Sequence, residues 1–111
     1  MRVSIPGLCP PSPNTLTSEH WTKRRARVER TKLLVLQALG ARKKPDLPVK
    51  VTIYRSSHHR IDKDNAWMSM KAVTDGIAHW LGVDDGDETK VVFEVVRENG
   101  PPGTHIKMEA K

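Results

Sequence analysis

The strongest fold signal lies in residues 49–81, which read VKVTIYRSSHHRIDKDNAWMSMKAVTDGIAHWL. From Val49 to Arg55 apolar and polar side chains alternate and β-branched residues dominate, which predicts a strand. From about Asp64 to Leu81 there is no proline, and apolar side chains recur at helical spacing. A strand followed by an amphipathic helix is typical of a sheet with helices packed against it.

Four further elements flank this pair. They are a strand over Arg2–Ile5, a helix from about Ser18 to Ala41 with Thr17 or Ser18 as its N-cap, and strands over Lys90–Arg97 and His105–Glu109. The last two strands enclose the turn-forming residues 98–103, ENGPPG, and are expected to form a hairpin. The predicted fold is therefore one α/β domain over residues 1–111, with a mixed sheet, two main helices and the order β-α-β-α-β-β.

Length and composition exclude several classes of protein. The chain has 111 residues, and no apolar run approaches the roughly 18 to 20 residues that cross a bilayer. The N-terminus lacks the apolar region of a signal peptide. A lone cysteine, Cys9, provides neither an internal disulfide nor a cysteine-rich zinc site. We expect a cytoplasmic protein with no membrane association.

The net charge of +6 is unevenly distributed along the chain. Residues 1–60 carry 13 basic and 3 acidic side chains, whereas residues 61–111 carry 6 and 10. A basic half favours contact with phosphates, although a solvated face that keeps a small domain soluble is the alternative. The candidate DNA-binding residues are Lys23, Arg24, Arg25, Arg27, Arg30 and Arg60. Few acidic residues balance the charges on the first helix, so phosphate contact is favoured there.

On the predicted second helix, one stripe is polar and the opposite face is apolar. Asp64, Lys71 and Asp75 share the polar stripe at 100° per residue. Trp67 and Trp80 fall on the apolar face and are expected in the core. Outside this helix, His58 and His59 are expected to face solvent rather than to bind a metal. Whether Trp21 is buried or exposed is left undecided by the sequence.

Acidic residues precede and follow this helix. Asp62 and Asp64 are two positions apart, and Asp84-Asp85-Gly86-Asp87 lies beyond Leu81. Magnesium binds hard oxygen ligands, so carboxylates from both segments would suit Mg²⁺, or Mn²⁺. A straight helix of about 17 residues is roughly 25 Å long, so Asp85 must fold back or come from a partner subunit.

Each acidic position also has a purely structural explanation. Asp64 could be the N-cap of the helix. Lys71 and Asp75, four residues apart, could be an ordinary surface pair. Residues 84–87 form a credible turn and do not match the EF-hand pattern.

The ordered motifs resemble those of the RusA-like Holliday junction resolvases. They are Arg60-x-Asp62-x-Asp64-Asn65, Lys71-x-x-x-Asp75-Gly76-Ile77 and Gly82-Val83-Asp84-Asp85, with Pro13-Asn14 ahead of the basic helix. The resemblance covers most of the chain. It implies a small α/β fold, a homodimer, and magnesium-dependent resolution of four-way DNA junctions by paired nicks.

By the same resemblance, Asp62, Asp64 and Asp85 are the metal-binding catalytic acids and Lys71 is the catalytic lysine, with Asp75 and Asp84 as additional candidates. The best-known members have the lysine three residues sooner, where this chain has Met68. That displacement motivates an alternative function, a non-catalytic DNA-binding accessory protein that keeps the fold.

Overall fold

Four strands form one mixed sheet in the order β1-β4-β2-β3. A computed structural model describes residues 1–11 and 20–111. Its elements are β1 (Arg2–Pro6), α1 (Trp21–Leu39), β2 (Val49–Ser57), α2 (Lys63–Ser69), α3 (Lys71–Leu81), β3 (Val91–Asn99) and β4 (Gly103–Ala110). The radius of gyration, 13.6 Å, is close to the roughly 13 Å expected of one compact domain of this length. The predicted α/β class and mixed sheet are confirmed.

The predicted hairpin between the last two strands is wrong. β4 lies between β1 and β2 and is antiparallel to both, whereas β3 is parallel to β2 on its other side. The helices that follow β2 return the chain to the same end of the sheet, so β3 takes the free edge of β2. Residues 98–103 are typical of a turn that reverses the chain direction. They do not determine which strand β4 pairs with after the turn.

The core lies between the sheet and the helices. Its fully buried members include Val35 and Leu39 of α1, Val73 and Ile77 of α3, Val51 and Ile53 of β2, and Ile106 of β4. Helices α1 and α3 approach closely at Gly76, where an added Cβ would lie 3.2 Å from Val35. The indole of Trp80 is 7% exposed, as predicted, and donates a hydrogen bond to the carbonyl of Gly40.

The predicted single helix from Asp64 to Leu81 is two helices, and the element order is therefore β-α-β-α-α-β-β. The break falls at Met70, whose N–H bonds to the carbonyl of Trp67, three residues back. The hydroxyl of Ser69 also donates to the carbonyl of Ala66, which competes with regular helical bonding. This turn changes the direction of the chain between α2 and α3, with Met70 fully buried and Trp67 46% exposed. The expectation that Trp67 belongs to the core is wrong.

Helix α1 begins at Trp21, with His20 at the N-cap position accepting a hydrogen bond from the N–H of Thr22. The predicted N-caps, Thr17 and Ser18, lie outside the described residues. Trp21, left open by the sequence, is exposed. Gly40 ends the helix with φ of 48°, a conformation that a side chain rarely adopts. In the part of the chain that the structure describes, no helix is both long and apolar enough to cross a membrane.

Candidate functional site

The first residue of α3, Lys71, connects two carboxylates that are far apart in sequence. Its Nζ donates to Asp75 Oδ1 at 2.9 Å and also to Asp85 Oδ2. Asp75 lies one turn along the same helix, whereas Asp85 belongs to the loop that follows it. The three side chains are partly exposed, so the cluster faces solvent.

The loop after α3 is shaped so that Asp85 folds back to this lysine. Gly82 ends the helix with φ of 75°, in the left-handed region. Asp84 Oδ1 then accepts a hydrogen bond from the N–H of Gly86, and the carbonyl of Asp84 accepts one from Asp87. Asp84 thus stabilises a turn, which was the structural alternative for residues 84–87, while its neighbour Asp85 contacts Lys71.

The contact between Lys71 and Asp85 shifts the pKa of both groups. The hydrogen bond from Lys71 holds the pKa of Asp85 below its ordinary value of 3.8. The hydrogen bonds to Asp85 and then Asp75 raise the pKa of Lys71 above 10.5, against a smaller opposing effect of burial. Lys71 is therefore a cation at neutral pH and cannot accept a proton as a general base.

Helix α1 contributes two arginines beside this cluster. A groove of about 290 Å³ is lined by Arg24 and Arg27 of α1 and by Lys71 and Asp75 of α3. Three positive charges from two elements therefore border one groove, next to a carboxylate. Of the other predicted DNA-binding residues, Lys23, Arg25 and Arg30 are exposed on α1 but do not line the groove.

Asp62 and Asp64 lie elsewhere, at the start of α2. Asp62 is the N-cap: its carboxylate accepts from the backbone N–H of Asn65 at 2.8 Å and from the Asn65 amide at 2.9 Å. The alternative that Asp64 is the N-cap is therefore wrong, because the helix begins one residue before it. Asp64 lines a separate groove with Trp67, which runs between α2 and the edge strand β3.

The break at Met70 also separates Asp64 from Lys71, which a continuous helix would have aligned. Met68 borders both the groove of Asp64 and the groove of Lys71, and so lies between them. Lys71 is the residue that bonds to Asp75 and Asp85; Asp64 has no part in that cluster.

The predicted metal ligands do not come together within one chain. Among residues 1–11 and 20–111, no group of three or more His, Cys, Asp or Glu side chains is arranged to hold a metal ion. Asp62 is bonded to Asn65 and Asp85 to Lys71, so both carboxylates already have partners. A magnesium site built from Asp62, Asp64 and Asp85 does not fit a single subunit as it is folded here.

A second basic region lies where β2 and β3 end. The predicted DNA-binding residue Arg60 lines a cavity there together with Arg55 and Arg97, neither of which the sequence singled out. One signal was available for Arg55: it continues the alternation of Val49, Val51 and Ile53 and so points to their side of the sheet. His58 and His59, at the same cavity, are exposed as predicted.

No protein-family model matches the chain, and no curated protein matches it.

Proposed function

We propose that this protein is a structure-selective DNA endonuclease that resolves four-way junctions as a homodimer with magnesium, in the manner of the RusA-like resolvases that its motifs resemble. The observation that carries the proposal is the convergence of Arg24, Arg27 and Lys71 on one groove beside Asp75 and Asp85. Basic side chains with an adjoining acid and lysine cluster are suited to holding a phosphodiester and to stabilising the negative charge that develops when it is cleaved.

The arginines of α1 would contact backbone phosphates, which orients DNA without reading its sequence. Lys71 would act as a fixed positive charge beside the scissile phosphate and stabilise the additional negative charge of the transition state. Its raised pKa supports this role over that of a proton acceptor. Asp75 and Asp85 hold the ammonium group in place from two sides.

A homodimer enters the proposal for two reasons. A four-way junction offers two equivalent strands, and a two-fold dimer provides two equivalent clusters. Asp62 and Asp64 are also not grouped with Asp85 in the described part of one chain. The acidic set that the resemblance implies would then need carboxylates from two subunits.

The second candidate function is a non-catalytic DNA-binding protein. Two observations favour it: the predicted metal ligands are dispersed, and Lys71 is already paired with two carboxylates. On this alternative the basic groove would bind branched DNA, and the acids would stabilise the fold only.

A synthetic four-way junction distinguishes the two functions. The purified protein is incubated with the labelled junction and with a linear duplex of the same sequence, in magnesium, in manganese and in chelator. Paired nicks in the junction alone, with metal only, are the expected result. Binding to the junction with no nick in either metal would favour the non-catalytic function.

Matched variants assign the groove. Arg24→Gln should weaken junction binding and lower the slope of log affinity against log salt by about 1, because one phosphate contact is lost. Arg42→Gln is the control, since Arg42 lies just beyond the other end of the same helix and bonds the carbonyl of Ala38. Equal effects of the two variants would contradict a DNA-binding role for the groove.

A further inference from the structure

A cavity of about 460 Å³ lies at the carboxyl ends of the parallel strands β2 and β3. Three arginines line it, Arg55, Arg60 and Arg97, with His58 and His59 beside them. Among the described residues that line it, Glu98 is the one carboxylate. A water occupies about 30 Å³ in the liquid, so the cavity has room for a phosphate group and several waters.

Arg55 is a nearly buried cation at this cavity. The residue is only 7% exposed, and within the described part of the chain its guanidinium donates one hydrogen bond, from Nη2 to the carbonyl of Pro10 at 3.0 Å. Its Nε is buried and has no hydrogen-bond partner among the same residues. Within residues 1–11 and 20–111, no carboxylate forms an ion pair with it. A guanidinium withdrawn from water in this way is costly unless a negative charge compensates it.

Arg97 adds a second positive charge to the lining of the cavity, from the neighbouring strand. Arg55 and Arg97 are register partners on the parallel strands, so both side chains project from the same face of the sheet. Arg97 donates from Nη1 to the carbonyl of Ile61 at 3.1 Å, and no carboxylate of the described residues pairs with it. Like charges on neighbouring strands repel each other. An anion between them would convert that repulsion into two attractions.

We propose that this cavity binds a phosphate group of the DNA backbone, held by Arg55 and Arg97 with Arg60 at its mouth. Planar guanidinium groups match phosphate geometry better than ammonium groups do. Arg97 also bonds to Ile61, the residue before Asp62, so the bound phosphate would lie next to the start of α2. The source of the phosphate rests on the proposed DNA function; the anion site itself does not.

The site is tested without DNA by titrating inorganic phosphate into the full chain and following arginine Nε–H signals by NMR. Sodium chloride at equal ionic strength is the reference. Saturable shifts of the Arg55 and Arg97 signals with phosphate alone are expected. Arg97→Gln, which alters an exposed residue, should weaken phosphate binding roughly tenfold, whereas Arg42→Gln should not. Shifts that chloride reproduces, or an unaffected Arg97→Gln affinity, would overturn the proposal.

The DNA source is tested by the salt dependence of junction binding. Arg97→Gln should lower the slope of log affinity against log salt by about 1 relative to the wild type and to Arg42→Gln. Saturable phosphate binding with an unchanged slope would overturn the DNA backbone as the ligand. A wild-type protein that binds phosphate but no DNA would refute the proposed function and retain the anion site, so the two failures are distinguishable.

Discussion

The ammonium group of Lys71 lies between the carboxylates of Asp75 and Asp85. The contact with Asp85 raises the pKa of Lys71 and lowers the pKa of Asp85. The folded pKa of Asp85 is below 3.8, so its stabilising effect is full above that pH and is lost as the pH falls through the folded pKa. The folded pKa of Lys71 is above 10.5, so its effect is full below that pH and is lost as the pH rises through the folded value. The contact between Lys71 and Asp85 is therefore at full strength between pH 3.8 and pH 10.5, the ordinary pKa values of the two groups.

Substitution Lys71→Met removes the cation from this cluster. We expect the pKa of Asp85 to rise toward 3.8, because the hydrogen bond that lowers it most comes from Lys71. Carboxyl carbon NMR across an acid titration measures the change. Lys63→Met is the matched control, since Lys63 is an exposed lysine on α2 that lines the other groove. An equal rise of the Asp85 pKa in both variants would contradict the assignment.

Asp62 and Asp64 differ in structural role although both belong to one motif. Asp62→Ala removes the N-cap of α2 and should lower the free energy of unfolding by about 1 kcal/mol. Asp64→Ala, which makes no cap, should change it by much less. Urea denaturation of the two variants measures the difference. If Asp64→Ala proved the more destabilising, the assignment of Asp62 as the N-cap would be contradicted.

At the scale of elements, the contact between α1 and α3 depends on Gly76. An alanine normally stabilises a helix relative to glycine, but its Cβ would lie 3.2 Å from Cβ and Cγ1 of the fully buried Val35. We expect Gly76→Ala to cost about 1 to 3 kcal/mol through overpacking. Thermal or urea unfolding measures this cost.

The double variant Val35→Ala/Gly76→Ala serves as the control. Shortening Val35 makes room for the new methyl group, so Gly76→Ala should cost less in that background. Additive effects of the two substitutions would mean that the close approach is not the cause.

Local patterns predicted elements better than the relations between elements. The alternation in β2 and the apolar spacing of α3 are properties of residues close in sequence, so the strand and the helix could be predicted from them. The break at Met70 was hidden because Ala66, Trp67 and Met70 fit a continuous helical face. The pairing of β4 with β1 and β2 depends on contacts across the whole chain, which turn residues do not encode.

The candidate site divides in the same way. The sequence associated Lys71 with Asp75 through their four-residue spacing, and the structure contains that ion pair. It also grouped Asp62 with Asp64 and Asp85, but the structure gives each of these a different neighbourhood. Arg55 and Arg97 become neighbours only through the parallel register of β2 and β3, which no local pattern reveals.

At the scale of the whole molecule, a site shared between subunits can be tested by mixing inactive variants. Asp64→Ala and Asp85→Ala chains are unfolded together, refolded and assayed on the four-way junction. If one subunit supplies Asp64 and its partner supplies Asp85, mixed dimers contain one intact site. We therefore expect partial recovery of nicking, which neither variant shows alone.

Refolded single variants and a mixture of Asp64→Ala with Asp64→Ala/Asp85→Ala are the controls, and both should stay inactive. A mixture of the two single variants that also stays inactive, from chains that demonstrably form dimers, would contradict a shared site.

The central position of β4 also has a consequence for how the chain is made. Ribosomes deliver residues from the N-terminus onward, so β1 emerges before β4 (Gly103–Ala110), the strand it pairs with in the described part of the chain. One edge of β2 likewise has no hydrogen-bonding partner until β4 has been synthesised. Until β4 arrives, the nascent sheet consists of β2 and β3 with an open edge, the kind of surface that chaperones protect from aggregation. Completion of the sheet therefore waits for β4, which follows the other three strands in chain order but lies in the interior of the sheet.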